Sequence, residues 1–276
     1  MLIGILHHPG RIRTQEMAAE IGTWLEARQI QVWLASSRDE AYIQKQALQT
    51  DLLVVLGGDG SLLRAARLAS PYELPVFGVN LGKVGFLTEA EPAEWPEKLA
   101  QVLAGDFWAE KRLMLRAALQ RHGRAVNTFS ALNDIVVGRG RQARVVRFEL
   151  WVDGDLVTQY TADALIVATP TGSTAYAMAA GGPLLPPQLQ NFIVVPVAAH
   201  LSFDRALVLH EQAEIAIHIH MDHEAYLTPD GQDGILLQDG DVIQVQKADH
   251  TSLFARLESP GYFYRRIMAR LGHRSS

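Results

Sequence analysis

Along the first hundred residues the apolar positions alternate between two spacings. Leu2–His7, Gln31–Ala35, Leu52–Leu56 and Val76–Asn80 are short, branched runs of strand length, whereas Thr14–Arg28, Glu40–Leu48, Ser61–Ala69 and Glu91–Leu103 repeat at helical spacing. This β-α-β-α order predicts a parallel sheet covered on both faces, with ligands binding beyond the carboxyl ends of its strands. From about residue 107 to residue 257 the texture changes to strand-like runs such as Val145–Val152, Val157–Tyr160, Leu165–Ala168, Phe192–Val195, Ile215–His220 and Val242–Val245. Turn signals separate them at Asp153-Gly154, Asp230-Gly231, Asp233-Gly234 and Asp239-Gly240. The expected fold class is therefore α/β, a doubly wound N-terminal domain over residues 1–105 followed by a β-rich domain over 106–259. The tail is helical again at Gly261–Leu271, and residues 260–276 are expected to return to the first domain.

Composition narrows the classes. The chain has 276 residues, 48% of them hydrophobic and 20% charged, in the range of folded rather than disordered proteins. A net charge of −5 provides no general field for nucleic acid. No apolar run reaches the ~18 residues that span a membrane, and Met1–Leu6 reads as a first strand rather than a signal peptide. The expectation is a cytoplasmic protein without nucleic-acid or membrane partners. With no cysteine, thiolate metal sites and a cysteine nucleophile are excluded.

The most informative junction is Gly57-Gly58-Asp59-Gly60-Ser61, where the Leu52–Leu56 strand pattern stops and a helical pattern begins. Ser61 is placed to cap that helix. Glycines let backbone N–H groups approach a ligand, and a helix start favours an anion. A carboxylate in such a turn, Asp59, suggests a base or a magnesium ligand, although a turn with an Asp bonded to its own backbone would look alike. A second small-residue turn follows the Leu165–Ala168 strand at Thr169-Pro170-Thr171-Gly172-Ser173-Thr174-Ala175-Tyr176-Ala177, ahead of an Ala-rich helix and Gly181-Gly182-Pro183. It suits phosphate or ribose, and equally a capped helix. Asn133-Asp134 leads a strand, where an amide and a carboxylate suit a base edge or a ribose, or form an ordinary Asx turn.

Together these segments resemble the NAD kinases. Gly57–Ser61, Gly78-Val79-Asn80, Gly85-Phe86-Leu87-Thr88, Asn133-Asp134, Thr169–Tyr176, Gly181–Pro183, Asp230-Gly231-Gln232 and the closing helix recur there in this order, so the resemblance covers nearly the whole chain. Gly-Gly-Asp-Gly is shared with lipid kinases and phosphofructokinases, and the Thr169–Tyr176 run is what singles out the NAD kinases. The resemblance implies an α/β nucleotide-binding domain and a β-rich NAD-binding domain, with the active site lying between them. It implies transfer of a phosphoryl group from ATP, or polyphosphate, to the 2′-hydroxyl of the adenosine ribose of NAD, giving NADP, with Mg²⁺ or another divalent cation accompanying the donor. By resemblance Asp59 accepts or orients the hydroxyl proton and Gly60 packs against substrate. Asn133 and Asp134 hold the adenosine or ribose, and Thr174, Ala175, Tyr176 and Ala179 line the dinucleotide pocket. Asp163 and Gln232 contact NAD, and a homodimer or homotetramer is expected because family pockets are completed across a subunit interface.

Two departures stand out. The family often has Gly-Asp-Gly where this chain has Ala162-Asp163-Ala164, and often Glu at the position of Asp134. Among four arginines at 139, 141, 144 and 147, Arg144 is expected at substrate, as is Arg64, one helical turn beyond Asp59; the others read as a charged hairpin edge. Gly138-x-Gly140-x-x-Ala143 lacks the helix a dinucleotide fingerprint needs. His218, His220 and His223 read as an exposed alternating face ahead of a metal cluster. The rivals are a lipid kinase of the same superfamily and a non-catalytic nucleotide sensor.

Overall fold

A computed structural model describes residues 1–81, 85–141, 144–199 and 204–272. The chain divides into two compact units. The first comprises residues 1–112 together with the segment from His250 onward, and the second comprises residues 113–249.

The first unit is built on a sheet whose described strands lie in the order Gln31–Ser36, Leu2–His7, Leu52–Leu56, Val76–Val79, Ser252–Arg256, Trp108–Arg112. The first five run parallel and the last is antiparallel. Every residue of Leu52–Leu56 and Val76–Val79 is buried, which is why these segments read as unbroken apolar runs. The helices Ile12–Glu26 and Trp95–Leu103 place Met17, Ile21, Leu25, Trp95 and Leu99 in one core with Ile3, Ile5, Val54 and Phe77. The sheet changes direction of growth next to Leu2–His7, so the carboxyl end of Leu52–Leu56 opens at a topological switch point. The turn at Gly57–Gly60 follows directly.

The sequence placed Trp108–Arg112 and Ser252–Arg256 in the β-rich domain, but both belong to the first sheet. Their charged residues conceal this. Glu110, Arg112 and Arg256 are all buried, and they satisfy one another: Glu110 accepts from Arg112 at 2.7–2.8 Å and from Arg256 at 2.9 Å. Burial alone would lift the Glu110 carboxyl, yet the two guanidiniums hold it below its ordinary value. The Tyr262–Gly272 helix closes over this cluster, its Tyr262 hydroxyl donating to Glu110 at 3.0 Å.

The second unit consists of two antiparallel sheets sharing one core. One runs in the order Asp155–Ala162, Val146–Val152, Ile215–His220, Val242–Lys247, Leu115–Arg121, Arg124–Ala131; the other Leu207–His210, Asn191–Val197, Ala164–Ala168, Asp134–Arg139, Ala225–Pro229, Ile235–Leu236. Phe148, Leu150, Ile217 and Ile243 from the first meet Ile135, Leu165, Val167 and Phe192 from the second. Ala164–Ala168 is buried on both faces, because Ile166 and Ala168 pack under Ala177 of the Tyr176–Ala179 helix. Two-residue loops with positive φ at both positions, His122-Gly123 (51° and 73°) and Asp153-Gly154 (53° and 89°), give tight hairpins. Among the described residues no helix is long and apolar enough to cross a membrane.

Candidate active site

In the first unit the helix after the glycine turn begins at Asp59. Gly58, with extended backbone (φ −96°, ψ −173°), takes the capping position expected for Ser61. Its carbonyl accepts the N–H groups of Ser61 at 3.0 Å and Leu62 at 3.3 Å, capping the helix three residues early. The glycines here do different work. Gly57 has φ +154°, and a Cβ there would lie 2.6 Å from the Ser61 hydroxyl oxygen, so the fold requires it. A Cβ on Gly58 or Gly60 would meet none of the described residues within 4 Å. Their N–H groups find no acceptor among the described residues. Open space and unpaired donors at a helix start suit a phosphate.

Asp59 is fixed from a distant segment. Its two carboxylate oxygens accept the backbone N–H groups of Phe86 and Leu87, each at 3.0 Å. A Cβ on Gly85 would lie 2.1 Å from Asp59 Oδ1, so glycine there admits the carboxylate. Gly78 plays the same part for packing, since a Cβ would lie 2.2 Å from Leu62 Cδ2 of the helix. The sequence grouped these motifs without showing how they meet. Gly82, Lys83 and Val84, from the same stretch, lie outside the described residues. Arg64 sits on this helix and pairs with Glu40 at 2.9 Å, which also holds Arg67 at 2.8 Å; nothing in the sequence singled out Glu40.

In the second unit three loops converge. The Asp230 carboxylate accepts the N–H groups of Leu132, Asn133 and Asp134 at 2.7–3.1 Å, and the Asp230 N–H returns to the Asp134 carbonyl at 2.9 Å. Asp230 and Gly231 hold positive φ, 49° and 64°, which points the carboxylate back along the turn. The Thr169 N–H donates to the Asn133 carbonyl at 2.9 Å and its hydroxyl to the Leu132 carbonyl at 2.5 Å. A Cβ on Gly172 would lie 2.0 Å from the Asn133 oxygen. Thr174 donates to the Thr171 carbonyl at 3.1 Å, while Ser173 bonds Pro170 and Leu185 and so ties the turn to the chain ahead. The Tyr176 ring stands exposed beyond it, as does Ala179, with Ala175 half-buried between turn and helix. Gln232 follows the positive-φ pair, its N–H on the Pro229 carbonyl. Burial, and next the Asp230 charge, push the Asp134 carboxyl up to about 7. Sequence reasoning named Gln232 at this loop and missed Asp230; the Asp-Gly pair carried the signal.

Asp163 and Arg144 lie elsewhere. Asp134 pairs in register with Ala168, and Gly138 with Ala164, so Asp163 falls at the opposite end of this sheet, ~17 Å along the strand from Asp134 at the usual rise. There it pairs with Arg139 at 2.9 Å. Arg144 is exposed, 3.9 Å from Asp222, with its carbonyl 3.0 Å from the His223 ring. His218 packs on Trp151 and His220 lies 3.5 Å from Glu149.

Among the described residues no three His, Cys, Asp or Glu side chains are grouped to hold a metal. A cation arriving on a phosphate donor needs only one or two protein carboxylates, and Asp59, a hard oxygen donor in a half-exposed glycine turn, fits that need. The arrangement is suited to phosphoryl transfer, in which positioning and charge stabilisation dominate.

Comparison with known proteins agrees across both units. Residues 38–107 match the ATP-NAD kinase N-terminal domain and residues 132–257 the ATP-NAD kinase C-terminal domain. An NAD kinase of Moorella thermoacetica is 40% identical over 269 residues, covering 95% of this chain and 86% of that protein. One from Chloroflexus aggregans is 37% identical, covering 98% of each. Among solved structures, yeast NADH kinase complexed with NADH superposes with a TM-score of 0.86 at 28% identity, covering 100% of this chain and 89% of the other. An NAD kinase from Archaeoglobus fulgidus in complex with ATP gives 0.77 at 27% identity, covering 98% of each.

Proposed function

The chain belongs to the NAD kinase family, and we propose from this how its own residues carry the family's reaction. It is a kinase that binds NAD and ATP and phosphorylates NAD to NADP. The observation that bears most on mechanism is Asp59, a carboxylate immobilised by two backbone N–H groups inside a turn otherwise suited to phosphate. Held there, Asp59 accepts or orients the proton of the ribose 2′-hydroxyl as it attacks the terminal phosphoryl group. The N–H groups of Gly58 and Gly60 steady the phosphate, and Gly60 leaves room for the sugar. Asn133, Asp134, Thr174, Ala175, Tyr176, Ala179 and Gln232 hold the dinucleotide, Tyr176 offering an exposed ring for stacking. Mg²⁺, held by the donor phosphates and Asp59, would neutralise charge on the phosphates when bound.

Arg64 keeps Glu40 as its partner and reaches phosphate through the same guanidinium. The working state is a homodimer or homotetramer in the cytoplasm, with Asp163 and Arg144 supplied to the pocket by a second copy. The distance of Asp163 from Asp134 along the sheet supports that reading.

The test is NADP formation from NAD, ATP and Mg²⁺, followed with an NADP-specific dehydrogenase, beside Asp59→Asn and with polyphosphate replacing ATP. Wild type should form NADP, and Asp59→Asn should lose about 10²–10⁴-fold in kcat with NAD still bound. Tight NAD binding without product in the wild type would instead identify a sensor. Turnover with polyphosphate would widen the donor class.

A further inference from the structure

The segment carrying the two N–H groups on Asp59 is itself gripped from behind. Arg256 donates to the carbonyls of Leu87 at 3.0 Å, Thr88 at 3.3 Å and Phe86 at 3.4 Å. Arg266, on the Tyr262–Gly272 helix, donates to Thr88 at 2.5 Å and Phe86 at 3.2 Å. Two guanidiniums from the end of the chain thus converge on three successive carbonyls. Both are aimed by carboxylates: Arg256 by Glu89 and Glu110 at 2.9 Å each, Arg266 by Glu258. Arg266 also lies over the Tyr262 ring, 4.8 Å from its centroid.

The geometry of a trans peptide gives this grip a consequence. The Phe86 carbonyl and the Leu87 N–H belong to one planar unit and point to opposite sides. Fixing the carbonyl on the guanidinium side therefore fixes the N–H on the Asp59 side. A cation on the carbonyl also polarises the unit and strengthens the bond its N–H makes. A merely structural ion cluster would be satisfied by its carboxylates; here the arginines also hold the backbone that orients the carboxylate of the glycine turn.

We propose that Arg266, with Arg256 behind it, is a positioning residue for phosphoryl transfer, acting on Asp59 through the backbone of Phe86–Thr88. This rests on the reading of Asp59 as the group that handles the hydroxyl proton. Arg256 is fully buried and its loss endangers folding, so Arg266, which keeps some exposure, is the residue to change.

The experiment measures kcat, KM for NAD and ATP, and the thermal transition for Arg266→Ala, Arg266→Lys and Asp59→Asn in the full chain. Arg266→Ala should lower kcat about 10–100-fold, because a small misplacement of a reacting group costs that much. Both KM values should stay within about threefold, and Arg266→Lys, which still donates one hydrogen bond to Thr88, should recover most of the loss. A folded Arg266→Ala protein with kcat within about twofold of wild type would overturn the proposal. So would a loss that Lys does not recover and that matches a lower folded fraction by circular dichroism. If Arg266→Ala does not fold, Glu258→Gln, which leaves the guanidinium but removes its guide, should lower kcat about threefold with KM unchanged, and no change would count against it. Unimpaired Asp59→Asn would defeat the reading of Asp59 instead, a distinguishable result.

Discussion

Four glycines near Asp59 look interchangeable in the sequence and differ in the structure. Gly57 and Gly85 answer to the protein, through a positive φ and through the carboxylate that a side chain would strike. Among the described residues nothing answers to Gly58 or Gly60, since a methyl group on either would meet none of them within 4 Å. Gly60 even sits in the first turn of a helix, where alanine is the better helix former by up to about 1 kcal/mol. The proposed phosphate site would account for their being glycine. Gly60→Ala should therefore leave the unfolding midpoint unchanged or slightly raised, while kcat/KM for ATP falls at least about tenfold. Gly57→Ala should lower the midpoint by several degrees, because no substrate is needed for its clash. Differential scanning fluorimetry beside steady-state kinetics separates the two, and a fully active Gly60→Ala enzyme would remove Gly60 from the site.

At the scale of elements, the proposed dinucleotide side depends on a turn clamped by one carboxylate and completed by another. Asp230 is answered by three backbone N–H groups, whereas Asp134 is buried beside it and its carboxyl lies at about 7 against an ordinary 3.8. The folded protein thus holds that proton more tightly than the unfolded chain. The stability this confers is complete below about pH 4 and is lost as the pH rises through 7. Asp134→Asn removes the titration, so its stability relative to wild type should climb between pH 4.5 and pH 8 by up to a few kcal/mol. Urea unfolding at the two pH values measures it; a variant less stable than wild type at pH 8, with no rise between them, would contradict the assignment. The same scale shows what the sequence made legible. Strands with both faces covered, Leu52–Leu56 and Ala164–Ala168, announce themselves by unbroken apolar runs. Trp108–Arg112 and Ser252–Arg256 do not, because their buried positions hold Glu110, Arg112 and Arg256, and no periodicity of hydrophobic residues registers a buried ion cluster. The small residues of the Asp59 turn and the Thr169–Thr174 turn mark candidate sites, and only the resemblance to the NAD kinases separates them from ordinary capped turns. Their supports, the Phe86 and Leu87 N–H groups and the Asp230 carboxylate, are long-range contacts that spacing does not encode.

For the whole molecule the question is whether one copy of the chain makes a complete pocket. The sequence put Asn133, Asp134 and Asp163 in the same β-rich domain, and local pattern carries no information about which end of a strand faces which. Register supplies it. The Asp134–Arg139 strand runs from the three converging loops to the Arg139–Asp163 pair, so a dinucleotide held at the first end by Asn133 and Gln232 lies a strand length from Asp163. If Asp163 nevertheless contacts NAD, the expectation is that a second copy presents it, and the interface would then carry catalytic competence. Mixing Asp59→Asn with Asp163→Ala tests this directly. Each variant alone should be nearly inactive. Where subunits exchange at random in a dimer, half the dimers are mixed and each has one intact site, so activity should return to about a quarter of wild type. Sedimentation or light scattering gives the size of the assembly in the same samples. Failure to recover activity in demonstrably mixed assemblies would mean that Asp59 and Asp163 serve the same copy's pocket. A fully active Asp163→Ala enzyme would mean that the Arg139–Asp163 pair only fastens the end of its sheet.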